Sequence, residues 1–332
     1  RLLTRSKNLA DNGCYRTLKV RSKVSMKIVF MGTPDFAVPC LEALISDGCE
    51  IASVFTQPDK PKGRGYHLIP PPVKVCALSH DIPVYQPTTL KDGAALSILQ
   101  EMQPEMIVVV AYGKILPKKI LELPKYGCVN VHASLLPKYR GAAPIQWAVL
   151  NGETVSGVTA MKMDVGLDTG DMLMKSELSI GENETADELH DILSAAGAEL
   201  IVRTVHAAEE GTLHPEKQDD SLSCYASMLT KEMSAIDFTK SAQEVHNKVR
   251  GLNSWPSATA LLNGKRMKIH RTFIAEGHGK AGQVLSLQPL VVACGSGAVE
   301  IAELQPEGKK RMSAQAFLNG LHGANAEDLL FS

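Results

Sequence analysis

From Met26 onward, the chain consists of short apolar runs that alternate with segments of helical periodicity. The apolar runs predict strands at 27–31, 51–56, 82–85 and 106–112, with a further strand through Asn130. The segments between them predict helices near 36–46, 72–80 and 93–102. This alternation is typical of an α/β domain with a doubly wound, Rossmann-like sheet, in which ligands bind at the carboxyl ends of the strands.

A different pattern follows a long predicted helix at 186–207. The polar stretch 209–223 contains Gly211 and Pro215 and predicts a linker. Beyond residue 230 we expect a helix at 241–252, a hairpin turn at Asn263-Gly264, and a small β-barrel. The strands of this barrel are predicted at 258–262, 265–269, 282–287, 290–294 and 298–304. We therefore divide the chain into a first domain at 26–208, a linker at 209–229 and a barrel domain at 230–332.

Residues 1–25 form a basic extension before the first predicted strand. They carry seven basic side chains against one acid, Asp11, and no long apolar run, so they are not a secretory signal. An Arg-rich, acid-poor segment is typical of a mitochondrial transit peptide. It can equally be translated upstream sequence or a cloning remnant, since Met26 stands directly before the first strand. We favour the remnant and predict that the segment is disordered.

The composition predicts a globular protein of a reducing compartment. Of 332 residues 44% are hydrophobic, and 35 basic against 36 acidic residues give a net charge of −1, so any nucleic-acid contact must come from local basic patches. The seven cysteines are widely spread without Cys-x-x-Cys, so we expect neither a disulfide framework nor a metal site. The longest apolar run, 106–112, is too short to cross a membrane. We expect a cytoplasmic monomer, with the mitochondrial matrix as the alternative if residues 1–25 are a transit peptide.

Two polar residues in the strand near 130 are the first candidates for chemistry. Val129 and Val131 are apolar, and the period of two along a strand turns Asn130 and His132 together to the other face. An amide that donates beside an imidazole that moves a proton suits acyl transfer to an amine. The alternative is a strand end whose Asn caps the next turn and whose His is a satisfied polar group. A carboxylate from the loop 163–171 could fix the tautomer of the histidine, and Asp164, Asp168 and Asp171 are equal candidates for it.

The run Asn130-x-His132-x-Ser134-Leu135-Leu136-Pro137, with Asp168 in Leu-Asp-Thr-Gly, resembles the folate-dependent formyltransferases. Within that family, residues 31–37, 57–65 and 108–113 resemble the members that act on methionyl-tRNA. The resemblance covers most of the chain from Met26. In the second domain it is weaker and rests mainly on Asn253-Ser254-Trp255-Pro256, residues 304–310 and residues 312–315.

The resemblance implies transfer of a formyl group from 10-formyltetrahydrofolate to the α-amino group of methionine on initiator tRNA. It also implies that the amine attacks the formyl carbon and that Asn130 and His132 hold the oxyanion that results. Asp168 would pair with His132, while a water could carry the proton to the leaving nitrogen. The first domain would be the catalytic formyltransferase domain, and the barrel would be an oligonucleotide-binding-like domain that contacts tRNA. The residues implied to bind folate are Ser134, Leu135, Leu136, Pro137, Arg140 and Gly141.

Two local basic surfaces are candidates for the tRNA contact. The loop 57–70 holds Lys60, Lys62 and Arg64 among prolines and glycines that oppose a regular element, and the family's loop enters the acceptor-stem groove. In the barrel, Arg266, Lys268 and His270 alternate with apolar residues, which predicts one basic face, to which the cluster 309–311 could add. A solvated loop and a solvated barrel face are the alternatives.

The catalytic motif alone does not name the formyl acceptor. A glycinamide ribonucleotide formyltransferase would have a single domain, a sugar-nucleotide formyltransferase a different partner domain, and a hydrolase would use water. A non-enzymatic RNA-binding module is a further alternative, and the presence of Asn130, His132 and Asp168 together argues against it.

Overall fold

The structure is a computed structural model that describes residues 26–62, 67–321 and 325–332. The extension 1–25 and Arg64 lie outside the described residues. The strands of the first domain and its connection are β1 (Lys27–Gly32), β2 (Glu50–Phe55), β3 (Lys60–Lys62), β4 (His67–Ile69), β5 (Val84–Tyr85), β6 (Met106–Val110), β7 (Cys128–His132), β8 (Arg140–Gly141), β9 (Val155–Lys162), β10 (Met172–Ser179) and β11 (Tyr225–Ala226). The helices are α1 (Val38–Asp47), α2 (Pro72–Ser79), α3 (Ala94–Met102), α4 (Lys118–Leu121), α5 (Pro144–Leu150) and α6 (Ala186–Glu209), with 3-10 turns at Asp35–Ala37 and Asp220–Leu222.

A seven-stranded sheet in the order β10-β9-β7-β6-β1-β2-β5 organises the first domain. Five neighbouring strands of this sheet pair in parallel, in the order β7-β6-β1-β2-β5. Strands β9 and β10 extend the sheet beyond β7, and both pair antiparallel. Side chains along β1 alternate between two cores, with Ile28 and Phe30 on one face and Val29 and Met31 on the other. Because both faces are covered, β6 is buried along its whole length, as parallel strands usually are. The predicted doubly wound α/β fold is confirmed.

Each strand and helix predicted for the first domain is present within a few residues of its expected bounds. The pair β9 and β10, which flanks the loop 163–171, and the helices α4 and α5 were not predicted. The prediction that the loop 57–70 forms no regular element is wrong, because β3 and β4 pair as an antiparallel hairpin.

The second domain is a curved sheet in the order β12-β13-β16-β15-β14, with β17 on β16. The residues at the end of the chain join its two edges, since Phe331 bridges to Leu262 on one side and Leu330 bridges to Gln283 on the other. This closure agrees with the predicted barrel. Its elements are α7 (Ala242–Gly251), β12 (Ala258–Leu262), β13 (Lys265–Ala275), β14 (Val284–Leu287), β15 (Leu290–Ala293), β16 (Ala298–Pro306), β17 (Met312–Ser313) and α8 (Ala314–Asn319), with 3-10 turns at Lys231–Ser234 and Ala326–Asp328.

Helix α7 connects the two domains through buried polar groups. The His246 Nε2 atom donates to the backbone carbonyl of Glu182 at 3.0 Å, and its Nδ1 atom lies 2.9 Å from Thr272 Oγ1. The buried Arg250 guanidinium donates to the carbonyl of Glu184 at 3.1 Å. Burial lowers the pKa of His246. Among the residues described, no helix is long and apolar enough to span a membrane.

Candidate active site

Strand β7 presents Asn130 and His132 to a cavity and Val129 and Val131 to the core on its opposite face. The strand lies between β6 and β9, so neighbours on both sides hold its backbone rigidly. Asn130 is half-buried, whereas His132 is only 6% exposed. The predicted placement of these two polar side chains on one face is therefore confirmed.

The backbone carbonyl of Tyr139 fixes the tautomer of His132. It lies 2.9 Å from His132 Nε2, and since a carbonyl only accepts, Nε2 carries the proton. The Nδ1 atom then faces Asp168 Oδ2 at 3.8 Å, which is too long for a hydrogen bond. The expectation that a carboxylate sets this tautomer is wrong, because the carboxylate faces the free nitrogen instead.

The hydrogen bonds of Tyr139 hold its carbonyl in place. Its hydroxyl donates to Glu153 Oε1 at 2.7 Å and accepts from Asn151 Nδ2 at 2.9 Å. Burial raises the pKa of this hydroxyl, so it stays a donor at neutral pH. The backbone of Tyr139 has a φ of 64°, a left-handed conformation that side chains other than glycine rarely adopt. The acceptor for His132 is thus part of a tightly held turn.

Asp168 is also held in a left-handed conformation, with a φ of 53°. Its Oδ2 atom accepts from the Gly141 amide at 2.9 Å. The side-chain amide of Gln218 donates to the carbonyls of both Asp168 and Gly170, at 2.8 Å each. Arg140 Nε in turn donates to Gln218 Oε1 at 2.9 Å. Gln218 lies in the predicted linker, where sequence reasoning gave it no role.

The other two acids of this loop are placed differently. Asp164 lines the cavity, but its Oδ1 atom accepts from the Gly166 amide and the Thr169 hydroxyl within its own loop. Asp171 is not among the residues that line the cavity. Of the three candidates, Asp168 is the one whose carboxylate approaches the histidine.

The cavity has a volume of about 660 Å³ and lies at the carboxyl ends of β6 and β7. Its walls combine apolar side chains with charged and polar ones, which include Lys114, Asn130, His132, Gln146, Asp164, Asp168 and His190. The Tyr112 hydroxyl is buried with no hydrogen-bond partner among the residues described, and burial raises its pKa to about 12. Its side chain packs in a hydrophobic core of the sheet, so the hydroxyl is not exposed to the cavity. Cavity residues that sequence reasoning did not assign to the site include Phe36, Tyr112, Leu116, Ile145, Met161, His190 and Tyr225.

Of the residues predicted to bind folate, Gly141 lines the cavity and the other five are not among its walls. The Ser134 hydroxyl donates to the Lys138 carbonyl at 2.8 Å. Leu136 is buried against Met161 and Met172. Arg140 forms an ion pair with Asp220 at 2.7 Å. The Ser134-Leu135-Leu136-Pro137 turn therefore supports the strand that carries His132, and its direct contact with folate stays a prediction.

The predicted tRNA contacts occupy two separate places. Lys60 is exposed on β3, and Lys62 ends the same strand. On β13, Arg266 and Lys268 are exposed while Met267 and Ile269 are buried, as predicted. His270 does not belong to the exposed basic face, because it is 7% exposed and its Nε2 atom lies 3.2 Å from Gln305 Oε1. Burial lowers its pKa, which disfavours a positive charge there.

Within the described ranges, no group of three or more His, Cys, Asp and Glu side chains is arranged to hold a metal ion. The six cysteines of these ranges are free, and all but Cys224 are buried. Burial raises the pKa of the Cys40 and Cys128 thiols to about 12, so they are unreactive packing groups.

Two family models match the chain, "Formyl transferase" over residues 26–205 and "Formyl transferase, C-terminal domain" over residues 228–322. Methionyl-tRNA formyltransferase from Geobacter metallireducens is 52% identical over 297 residues, which cover 89% of this chain and 96% of the relative. The enzyme of the same name from Pelobacter propionicus is 53% identical and covers 89% and 93%.

Solved structures share the fold at lower identity. An N-formyltransferase from Helicobacter canadensis in complex with folinic acid and dTDP-3-aminofucose has a TM-score of 0.65 at 22% identity, covering 85% of this chain and 99% of that one. HypX from Aquifex aeolicus in complex with tetrahydrofolic acid has a TM-score of 0.60 at 16% identity, covering 90% and 48%.

Proposed function

Because the chain belongs to the formyl transferase family, together with methionyl-tRNA formyltransferases to which it is about half identical, we propose that it formylates initiator methionyl-tRNA. The formyl group comes from 10-formyltetrahydrofolate and goes to the α-amino group of the methionine. The observation that carries this proposal is the free Nδ1 atom of His132, which faces Asp168 at 3.8 Å in the same cavity as the Asn130 amide. The site thus combines a donor for an oxyanion with a group that exchanges a proton.

The reaction forms one C–N bond and breaks another. The methionine amine attacks the formyl carbon, and the carbonyl oxygen becomes an oxyanion that the Asn130 amide and protonated His132 stabilise. Because Nε2 donates a hydrogen bond to the backbone carbonyl of Tyr139, Nδ1 is the nitrogen that takes up and releases a proton. The negative charge of Asp168 beside Nδ1 stabilises the protonated ring. The amine proton passes to the nitrogen of tetrahydrofolate that leaves, directly or through a water.

The cavity is suited to a folate in size and lining. A pocket of about 660 Å³ can enclose a flat heterocycle, and its walls combine apolar side chains with polar ones that include Asn130, Gln146 and Asp164. The exposed basic residues Arg266 and Lys268, on a separate domain, favour a polyanionic acceptor over water or a small sugar nucleotide.

One assay separates the possible acceptors. The protein is incubated with 10-formyltetrahydrofolate and with initiator methionyl-tRNA, elongator methionyl-tRNA, a dTDP-amino sugar or buffer alone. Release of tetrahydrofolate and formation of formylmethionine are both followed. We expect both products with initiator tRNA and little of either in buffer. Tetrahydrofolate release at the same rate in buffer would identify a hydrolase, and formylation of the sugar alone would identify a sugar-nucleotide enzyme.

We also propose that the protein acts as a monomer in the cytoplasm, or in the mitochondrial matrix if residues 1–25 are a transit peptide. Light scattering after gel filtration measures the mass in solution, and a mass of twice 35.8 kDa would contradict the monomer.

A further inference from the structure

The second domain carries a cavity of about 460 Å³ that the formyl transfer reaction does not use. We call it the basic groove, and its walls are Lys231, Ser234, Trp255, Pro256, Arg266, Lys268, Gln305, Pro306, Glu307 and Gly308. Two of the short motifs that carried the family resemblance in this domain, Asn253-Ser254-Trp255-Pro256 and residues 304–310, both contribute to these walls. The groove is far in sequence from the catalytic residues and is built entirely by residues beyond 230.

Three cations of the groove are in no close ion pair among the described residues, although Glu232 follows Lys231 and interacts with its charge. Arg266 and Lys268 project from the exposed face of β13, and Lys231 comes from the 3-10 turn that precedes α7. Within the described part of the chain, none of the three forms an ion pair or a side-chain hydrogen bond, whereas Arg271 pairs with Glu188. Glu307 is the one acid on the walls, so the groove has an excess of positive charge. An anion is therefore the ligand that the charges favour.

Trp255 adds a flat aromatic surface beside these cations. Its side chain is 50% exposed, although large aromatic residues are usually mostly buried. The turn that carries it is fixed, because the Ser257 amide donates to the Leu252 carbonyl at 2.9 Å. An exposed aromatic ring with neighbouring basic side chains is the arrangement that binds single-stranded nucleic acid, by stacking a base and pairing with its phosphates. An acidic peptide would use the cations but would gain nothing from the indole plane.

We propose that the basic groove binds one unpaired nucleotide of an RNA, with its base stacked on Trp255 and its phosphates held by Arg266, Lys268 and Lys231. The inference rests on the proposed function in one respect, since that function supplies RNA as the substrate. It adds a defined contact for an unpaired base, which a uniform basic surface that follows a duplex would not make.

The tryptophan content of the chain provides a direct test. Trp147 is the other tryptophan of the chain; it lies on α5 in the first domain, and its Nε1 donates to the Ser227 carbonyl. Trp147→Phe therefore leaves Trp255 as the single indole fluorophore. We expect initiator tRNA and a short single-stranded RNA to quench its fluorescence, and inorganic polyphosphate to compete with them without quenching. Quenching by an acidic peptide and not by RNA would overturn the proposal.

Binding of labelled RNA to variants, without folate, tests the same contact. Trp255→Leu should weaken binding about 5- to 150-fold, and Trp255→Tyr should recover most of it, since it restores a ring that can stack. The double variant Arg266→Ala with Lys268→Ala should reduce the slope of log affinity against log salt by about two. Lys280→Ala removes an exposed lysine outside the groove and serves as the control. Circular dichroism checks that each variant folds.

Equal RNA affinity in Trp255→Leu and the native chain would overturn the proposal that the basic groove binds an unpaired nucleotide, even if Met-tRNA is formylated normally. RNA binding that depends on Trp255, in a protein that formylates no tRNA, would instead refute the proposed function and leave the groove in place.

Discussion

Replacing Gln218 by glutamate tests whether the conformation of the catalytic loop depends on a residue outside the catalytic motif. The native side-chain amide donates to the carbonyls of Asp168 and Gly170. A carboxylate has the same shape but no N–H, so Gln218→Glu removes both donors and turns negative oxygens toward two carbonyls. Its oxygen can still accept from Arg140 Nε, which keeps the segment attached to the first domain.

The magnitude follows from the two hydrogen bonds and the backbone conformation that they support. Each neutral hydrogen bond contributes about 0.5 to 1.5 kcal/mol net, so their joint loss costs about 1 to 3 kcal/mol. The left-handed φ of Asp168 costs about 1 to 2 kcal/mol by itself. The loop should therefore relax to another conformation once the two hydrogen bonds from Gln218 are lost. Converted to rate, the loss predicts that kcat/KM falls about 5- to 150-fold.

The assay is steady-state formylation of initiator methionyl-tRNA, with thermal unfolding measured in parallel. Asp220→Asn is the matched control, because it removes the ion pair to Arg140 from a side chain that is 84% exposed and leaves Gln218 intact. Such exposed pairs contribute about 0 to 1 kcal/mol, so the control should lose less than about fivefold in kcat/KM. A Gln218→Glu enzyme that folds normally and matches the native kcat/KM would refute the positioning role.

Three further results are expected. Asn130→Ala should lower kcat about 100- to 1,000-fold with little change in the KM for the folate, because the amide acts on the oxyanion; steady-state kinetics check it, and an effect on KM alone would contradict it. Asp168→Asn can still accept from the Gly141 amide, yet loses the charge beside His132, so single-turnover formylation should slow about 100- to 10,000-fold with an unchanged circular dichroism spectrum. Thermal stability should fall as the pH is lowered from about 7 to about 5, because burial lowers the pKa of His246 and the unfolded chain then binds a proton that the folded chain resists. The variant His246→Gln should lose part of this pH dependence. A melting temperature of the native chain that stays constant over this pH range would contradict the prediction.

Periodicity along single strands was sufficient to predict much of the fold and part of the site. The alternation around Asn130 and His132 placed both side chains correctly, because a strand between two neighbours keeps a strict period of two. The same reasoning failed at His270. The pairing of β13 with β16 shifts register between Ile269 and Arg271, and such a bulge breaks the alternation that the prediction assumed.

Other features depend on contacts between distant segments, which single-sequence patterns do not report. The pair β9 and β10 is joined by the long loop 163–171, so it lacks the short turn that marks a hairpin in sequence. The partner of His132 Nε2 is a backbone carbonyl, and any residue type at position 139 would offer one. Gln218 is a polar residue in a polar stretch, and nothing in the local pattern distinguishes it from its solvated neighbours.

The placement of residues 216–226 changes where the protein can be divided. The family models end at residue 205 and resume at residue 228, so the intervening segment belongs to neither. Yet β11 pairs with β8, Tyr225 lines the cavity, and Gln218 bonds to the loop of Asp168. A catalytic fragment cut at residue 208 would contain every residue of the formyltransferase motif but would lack Tyr225 from its pocket and the hydrogen bonds of Gln218 to the Asp168 loop. For domain swaps, for split-protein complementation and for protease mapping, we therefore predict that a cut after Ala226 preserves the site better than a cut at residue 208.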